Sequence, residues 1–265
     1  MARIRDVTDT ALLGAAFFAR ETARPDALLR DPLAGRLAGW RGEQLARGCG
    51  LGWIVRARLI DHMVLREVRR GATVVVNLGA GLDTRPYRLA LPPSLHWVEV
   101  DLPDLLARKG IRLSYAKPVC RLTRVRLDLR RTRARRCLLT RLGRSGRAIA
   151  VTEGLLIYLK PLQVTAIAHE LAASGFGAWV VDIASRPAVQ LQRIRLGRSL
   201  SRAGAPLRFA PRDGVAFLCR QGWRVVAARS VLRTAARLGR LLPGAACRLA
   251  AAGLDSRVCL LRRAN

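Results

Sequence analysis

Lysine is nearly missing from this chain. Lys109, Lys117 and Lys160 are the only three, so arginine makes up the other 45 of its 48 basic residues. Acids are few as well, with 18 Asp and Glu leaving a formal charge of +30. Aromatic residues are 5% of the total, too sparse for the basic platform interleaved with rings on which single-stranded bases stack. No apolar run approaches the roughly 18 to 20 residues that span a bilayer. The longest candidate, Ala11 to Ala19, is preceded by Asp6 and Asp9 and followed by Arg20 and Glu21, so it reads as a helix of a cytoplasmic protein and not as a secretory leader. Six cysteines, at positions 49, 120, 137, 219, 247 and 259, include no pair at the spacing of a zinc clamp or a redox dithiol. They are expected to be reduced and mostly buried. His62, His96 and His169 lie far apart, and no metal is predicted.

A basic excess of this size is normally the footprint of a nucleic-acid or acidic-membrane partner. Here arginine rises together with alanine, glycine and leucine, the skew that GC-rich coding produces. The arginines also run along nearly the whole chain, although Arg121 to Arg147 is denser. A small-molecule partner is therefore favoured over nucleic acid, and no membrane partner is expected.

What is present is the pattern of a single α/β domain of 265 residues. Residues 1–70 read as a helical lid followed by a helix that enters the core, and residues 71–265 as the core itself. Apolar positions recur at helical spacing over residues 8–22 and 33–46, the two lid helices, and again from Trp53 to Arg69, where Gly71 ends the helix. β-Branched apolar runs follow at Thr73–Leu78, Leu95–Val100, Ala148–Thr152 and Ala178–Ile183, separated by helix-compatible stretches. That alternation predicts a parallel sheet covered on both faces. Weaker strands near 120–125, 223–227 and 257–261 bring the count to about seven. The stretch 186–211 has no strand signal and is a candidate cover for the mouth of the site.

Thr73 to Leu78 runs directly into Gly79-Ala80-Gly81-Leu82-Asp83-Thr84. Glycines at 79 and 81 let the backbone bend sharply and approach a ligand where a Cβ would collide. A dinucleotide fingerprint requires a third glycine where Thr84 stands, which argues against nicotinamide or flavin. The second strand ends at Asp101, twenty positions after Gly81, where a carboxylate accepts hydrogen bonds from both hydroxyls of a ribose. Glu99 lies on the same face but farther from the strand end. Bend and acid together indicate a nucleoside ligand. Asp128 with Leu129, after a third strand, suits an adenine amino group and ring, or simply a helix cap. Glu153, beside Gly154 at the end of the fourth strand, lies at the carboxyl edge where ligands of open α/β sheets bind.

Three segments, V-N-L-G-A-G-L-D-T-R-P-Y-R-L from Val76, W-V-E-V-D-L-P from Trp97 with Lys109 beyond, and T-E-G-L-L-I-Y-L from Thr152, closely resemble the leucine carboxyl methyltransferase-like family. Those S-adenosylmethionine-dependent enzymes include protein C-terminal carboxyl methyltransferases and bacterial polyketide O-methyltransferases. Arg24-Pro25-Asp26, Asp31-Pro32-Leu33-Ala34, the Arg56 to Asp61 segment and Gly222-Trp223 extend the likeness over nearly the whole chain. The resemblance implies a class I methyltransferase sheet, Rossmann-like and of seven strands, with an N-terminal helical lid. It implies that Gly79, Ala80 and Gly81 line the methionine part of S-adenosyl-L-methionine, that Asp101 holds the ribose, Asp128 and Leu129 the adenine, and Glu153 the methionyl amino end. Arg56 would face the cofactor carboxylate or the substrate, and Arg20 and Tyr158 would help orient a substrate carboxylate.

The reading that results is an O-methyltransferase acting on a small-molecule oxygen, a carboxylate before a phenol, since no local pattern orients a histidine as base. No residue is assigned as a catalytic base. The alternatives are a methyltransferase acting on RNA or another polyanion, for which the arginine excess speaks, and a non-catalytic S-adenosylmethionine-binding homologue. Sequence leaves oligomeric state open.

Overall fold

The computed structural model describes residues 4–46, 50–144 and 146–264; Cys49 lies outside them. The chain begins with α1 (Val7–Thr22), α2 (Ala34–Leu45) and α3 (Leu51–Arg69), and continues through β1 (Val74–Leu78), α4 (Arg85–Arg88), β2 (His96–Asp101) and α5 (Pro103–Arg112). Then come β3 (Arg121–Arg126), α6 (Thr132–Gly143), β4 (Ala148–Thr152), a short 3-10 turn (Leu156–Tyr158), α7 (Pro161–Ala173) and β5 (Ala178–Ala184). The C-terminal part holds α8 (Arg186–Arg202), α9 (Ala216–Cys219), β6 (Trp223–Ser230), α10 (Val231–Arg237), α11 (Pro243–Ala251) and β7 (Ser256–Arg263). Among the described residues, no helix is long and apolar enough to cross a membrane.

Local chemistry sets these boundaries. The Asp6 carboxylate caps α1 by accepting from the Asp9 amide at 3.1 Å. Pro103, Pro161, Pro187 and Pro243 fall in the first turns of α5, α7, α8 and α11, where a missing N–H costs nothing. α3 stops at Arg70 and Gly71, the latter at φ +96°.

The seven strands form one sheet in the order β3-β2-β1-β4-β5-β7-β6. The four strands expected to run parallel, β1, β2, β4 and β5, do so, and β7 runs antiparallel to both β5 and β6. The cause is the route of the chain: α10 and α11 stay at the end of the sheet where β6 finishes, so β7 re-enters from that end, pairing Arg257 with Ser230 and Ser256 with Ala184. A parallel neighbour would have needed a crossover along a sheet face.

Alternation along the strands sends one set of side chains to each face. Val76, Leu78, Val98, Val100, Trp179 and Val181 pack against α6 and α7 through Leu138, Leu139, Ile167 and Leu171. Val75, Trp97, Ile149, Val151 and Val180 meet α3 through Val55, Ile60, Met63 and Val64. A third cluster seats the lid: Leu12, Ala15, Ala16 and Phe17 of α1 pack with Leu37 and Ala38 of α2 and with Leu82 and Leu105 beside the first βα turn. Each large apolar side chain so buried contributes roughly 1.5 to 3 kcal/mol. The cysteines depart from expectation. Cys120 and Cys259 are buried, but Cys137, Cys219 and Cys247 are exposed, because they fall on the outer faces of short C-terminal helices and α6.

Candidate active site

The turn after β1 is held by the end of β2. The Gly79 and Ala80 amides both donate to the Val100 carbonyl, at 2.8 and 3.2 Å. The Gly81 amide donates to Asp101 Oδ2 at 2.6 Å, and the Leu102 amide to Oδ1 at 2.7 Å. The bend and the acid are therefore in direct contact. Each Asp101 oxygen accepts one amide and keeps a lone pair for a further donor, which suits two vicinal hydroxyls. Glu99, one step back on the same face, is fully buried and spent on Lys109 at 2.7 Å and Arg124 at 3.0 Å.

Gly79 sits at φ +70° and Gly81 at φ +49°. A Cβ at Gly79 would meet Leu155 Cδ1 at 2.9 Å. Gly79→Ala is expected to cost about 1 to 3 kcal/mol of stability through left-handed backbone strain and the displaced Leu155. Urea denaturation measures it, and a midpoint equal to wild type would show that this bend is not constrained.

Around the bend lies a cleft with about 900 Å³ of unfilled space, its open mouth included. Gly79 to Asp83, Asn77 and Asp101 form its floor, Glu153, Gly154 and Tyr158 one wall, and Val7, Thr10, Ala11, Gly14, Ala15 and Phe18 of the lid helix its roof, with Trp53 and Arg56 from α3. The size and the mostly apolar lining with a few converging polar groups are those of a small-ligand site. Part of the segment 186–211 backs this roof: Val189, Leu200 and Leu207 cluster with Val7 and Tyr158.

Beneath the floor runs a chain of ion pairs. Arg85, 2% exposed, donates from Nε to Asp61 at 2.6 Å, from Nη1 to Asp83 at 2.8 Å and from Nη2 to Glu153 at 2.7 Å. Arg56 donates to Glu153 at 3.0 Å and to Asp182 at 3.4 Å, and Asp182 accepts the Gly154 amide at 2.7 Å. Asn77 Nδ2 donates to Asp83 at 2.6 Å, leaving its buried Oδ1 without a partner. Burial alone would lower the pKa of Arg85 and of Arg56, but the carboxylates around each raise it, Asp83, Glu153 and Asp61 for Arg85 and Asp182 and Glu153 for Arg56. Burial pushes Asp182 up, with Arg56 opposing. Asp83 is held below its ordinary value: burial works to raise it, and Arg85, Lys109 and Arg88 outweigh that. Tyr158 is pushed up by burial, against its hydrogen bond with Thr10 and the charge of Arg56, so its hydroxyl stays protonated at neutral pH.

Of the residues singled out from sequence, Gly79, Ala80, Gly81, Asp101, Glu153, Arg56 and Tyr158 meet in this cleft. Arg20 is a correction: its guanidinium lies at the surface and is paired with Glu43 of α2 at 2.8 Å, because its position on α1 faces the second lid helix and not the roof. Asp128 and Leu129 are not on the cleft wall either. Asp128 is clamped by the Arg130 amide and guanidinium, and Leu129 is buried in the core against α6. Their loop nevertheless starts beside the site, since the Leu127 amide donates to the Asp101 carbonyl at 2.9 Å. Asp61, Asn77, Asp83, Arg85 and Asp182 join the site without a prior sequence assignment. The D-T-R triplet at 83–85 was the available signal, a carboxylate and a guanidinium fixed directly behind the glycine bend.

The residues fit S-adenosylmethionine. Asp101 presents free lone pairs to a ribose, the glycine bend leaves room for backbone approach, and the carboxylates of Asp83 and Glu153 suit a sulfonium and an ammonium. Burial raises Asp101 above its ordinary 3.8, against the Gly81 and Leu102 amides and Lys109. Hydroxyl donors favour the ionised form and draw that value down, so binding releases a proton between the two values. Affinity for S-adenosylhomocysteine is therefore expected to hold at neutral pH and to decline as pH falls through the raised Asp101 value. Titration calorimetry in buffers of different ionisation enthalpy reads the released proton, and an affinity that rises on acidification would contradict this.

Sheet order, the glycine bend and the acid that closes β2 mark the class, a Rossmann-like methyltransferase. The model of the leucine carboxyl methyltransferase family matches residues 11–172. Similar proteins include a candidate S-adenosyl-L-methionine-dependent methyltransferase of Mycolicibacterium paratuberculosis, 34% identical over 269 residues and covering 88% of this chain and 84% of that one. Another from Frankia alni is 30% identical over 253 residues, with 85% and 86% covered. A crystal structure of a candidate methyltransferase from Thermobifida fusca superposes with a TM-score of 0.66 at 17% identity, covering 96% of this chain and 94% of that one, a likeness of fold. The chain belongs to the leucine carboxyl methyltransferase family and is an S-adenosylmethionine-dependent methyltransferase.

Proposed function

We propose that this enzyme methylates an oxygen of a small molecule, and that the acceptor is a carboxylate oriented by Arg56 and Tyr158. The observation that carries the reading is that, among the described residues, the cleft offers no group free to act as base. His62, His96 and His169 do not line it. Asp101 is held by two backbone amides, Asp83 and Glu153 by Arg85, and Glu153 and Asp182 by Arg56. Tyr158 is kept protonated by burial. A carboxylate is ionised at neutral pH and attacks without proton removal, whereas a phenol with a pKa near about 10 gains from a base.

Bound S-adenosylmethionine supplies an electrophilic methyl on sulfur. The protein aligns and desolvates: the lid residues Val7, Ala11, Ala15 and Phe18 exclude water, Trp53 lies under the Arg56 guanidinium at 4.9 Å, and the Tyr158 hydroxyl donates to the acceptor oxygen that does not attack.

A methyl-transfer assay against a panel of aliphatic and aromatic carboxylic acids and phenols tests the reading, with methyl esters as the expected products. Tyr158→Phe is expected to raise KM about 10- to 100-fold, the worth of one hydrogen bond to a charged group, with a smaller change in kcat. Methyl ethers as the sole products would overturn the carboxylate assignment. Turnover only on RNA, falling steeply with salt, would replace the small-molecule reading with a polyanion one.

A further inference from the structure

A second, wider concavity opens at the same edge of the sheet. Its floor is made by the ends of β5 and β6 and the start of β7, with Ile183, Ser185, Ala228 and Arg257, and its walls by α10 and α11; about 1640 Å³ is unfilled, mouth included. Four arginines line it, all of them exposed to solvent. Arg229 comes from β6, Arg233 and Arg237 stand one turn apart on α10, and Arg257 begins β7. Among the described residues none of the four forms an ion pair, and Arg229 only donates from Nη1 to the Ala228 carbonyl at 3.3 Å. The one acid on the wall, Asp255, accepts the Leu232 and Ser256 amides at 3.2 and 2.9 Å and is occupied in fixing backbone.

Elsewhere several buried and partly buried arginines are matched by acids. Arg85 has three carboxylates, Arg56 two, Arg135 has Glu170, and Arg240 has Glu21 and Asp26. Compositional scatter puts arginines on convex surface, where water and salt screen them within about 8 to 10 Å. Four in one concavity with apolar walls of Ile183, Val215, Ala250 and Ala251 focus a positive field instead, and like charges one helical turn apart oppose folding. Guanidinium forks match oxyanions in geometry. Four of them, from three elements, call for more than one negative charge.

We propose that this cleft is a second ligand site, taking a compact multiply charged oxyanion of the diphosphate or tricarboxylate class. The two clefts share the end of β5: Asp182 reaches Arg56 in the cofactor cleft, and Ile183 and Ser185 line the arginine cleft. A ligand here sits beside the methyl-transfer site without using its residues.

The test is titration calorimetry with inorganic pyrophosphate and, in a second arm, citrate, at fixed ionic strength. Saturable one-to-one binding is expected, and the tighter arm identifies the class. Arg233→Gln/Arg237→Gln is expected to weaken it about ten-fold or more. Arg133→Gln/Arg141→Gln, on the exposed face of α6, is expected to leave it within about two-fold, a change too small to register as a lost contact. S-adenosylhomocysteine affinity is expected to be unchanged in both. A readout that needs no variant is maleimide labelling of Cys247 on the cleft wall, which the better anion is expected to slow while Cys137 and Cys219 react as before. Non-saturable binding, equal loss in the two double variants, or an unprotected Cys247 would each overturn the proposal and leave a diffuse basic surface.

Discussion

Asp101→Ala is expected to remove detectable binding of S-adenosylmethionine while leaving a folded protein. The carboxylate has two roles. It ties the Gly81 amide to the end of β2 at 2.6 Å, and it offers one remaining acceptor site on each oxygen to a vicinal diol. Each hydrogen bond to a charged acceptor contributes about 1.5 to 3 kcal/mol, so losing two weakens binding by about 100-fold or more. The Gly79 and Ala80 amides keep their own acceptor, the Val100 carbonyl, so the bend itself persists. Asp101→Asn separates the two roles: its amide oxygen still takes the Gly81 amide, but it lacks the charge, and an intermediate affinity is expected. Calorimetry gives both numbers, and equal affinity for wild type and Asp101→Ala would refute the assignment.

Arg85→Met is expected to destabilise the protein by at least about 3 to 5 kcal/mol, the usual cost of leaving a buried charge without its partner, and to lower Tm by on the order of 10 °C. The substitution keeps most of the side-chain volume but leaves the buried Asp83 with only the Asn77 amide and the backbone beside it, and takes one of two guanidinium partners from Asp61, which keeps Arg88, and from Glu153, which keeps Arg56. Its pH dependence distinguishes charge from packing. Without Arg85, burial pushes Asp83 up from its lowered value, so the folded state takes up a proton there first, and the variant regains stability relative to wild type as pH falls through that raised value. A deficit constant with pH would mean that Arg85 acts through packing alone.

Most of the architecture is legible in residue patterns, because each signal is local. β-Branched runs such as Val74–Leu78 have no alternative to a buried strand, and an acid at the end of β2 twenty residues past a glycine bend needs only standard βα geometry to meet it. What the sequence hides depends on distant pairing. The direction of β7 follows from where α10 and α11 leave the chain, which no strand composition records. Arg56 and Asp182 are separated by 126 positions, and neither periodicity nor spacing joins them. On α1 a rotation of one residue decides whether Arg20 meets the roof or Glu43. The arginine cleft is invisible for a different reason: in a chain with arginine everywhere, only the fold shows which ones converge.

A crystal structure with S-adenosylhomocysteine tests the central claim most directly. The account predicts both ribose hydroxyls on the Asp101 carboxylate, the amino-acid end over Gly79 to Gly81 towards Glu153, and the α1 side chains closing above. A ligand seated elsewhere, or a ribose that leaves Asp101 bonded only to its two amides, would contradict it.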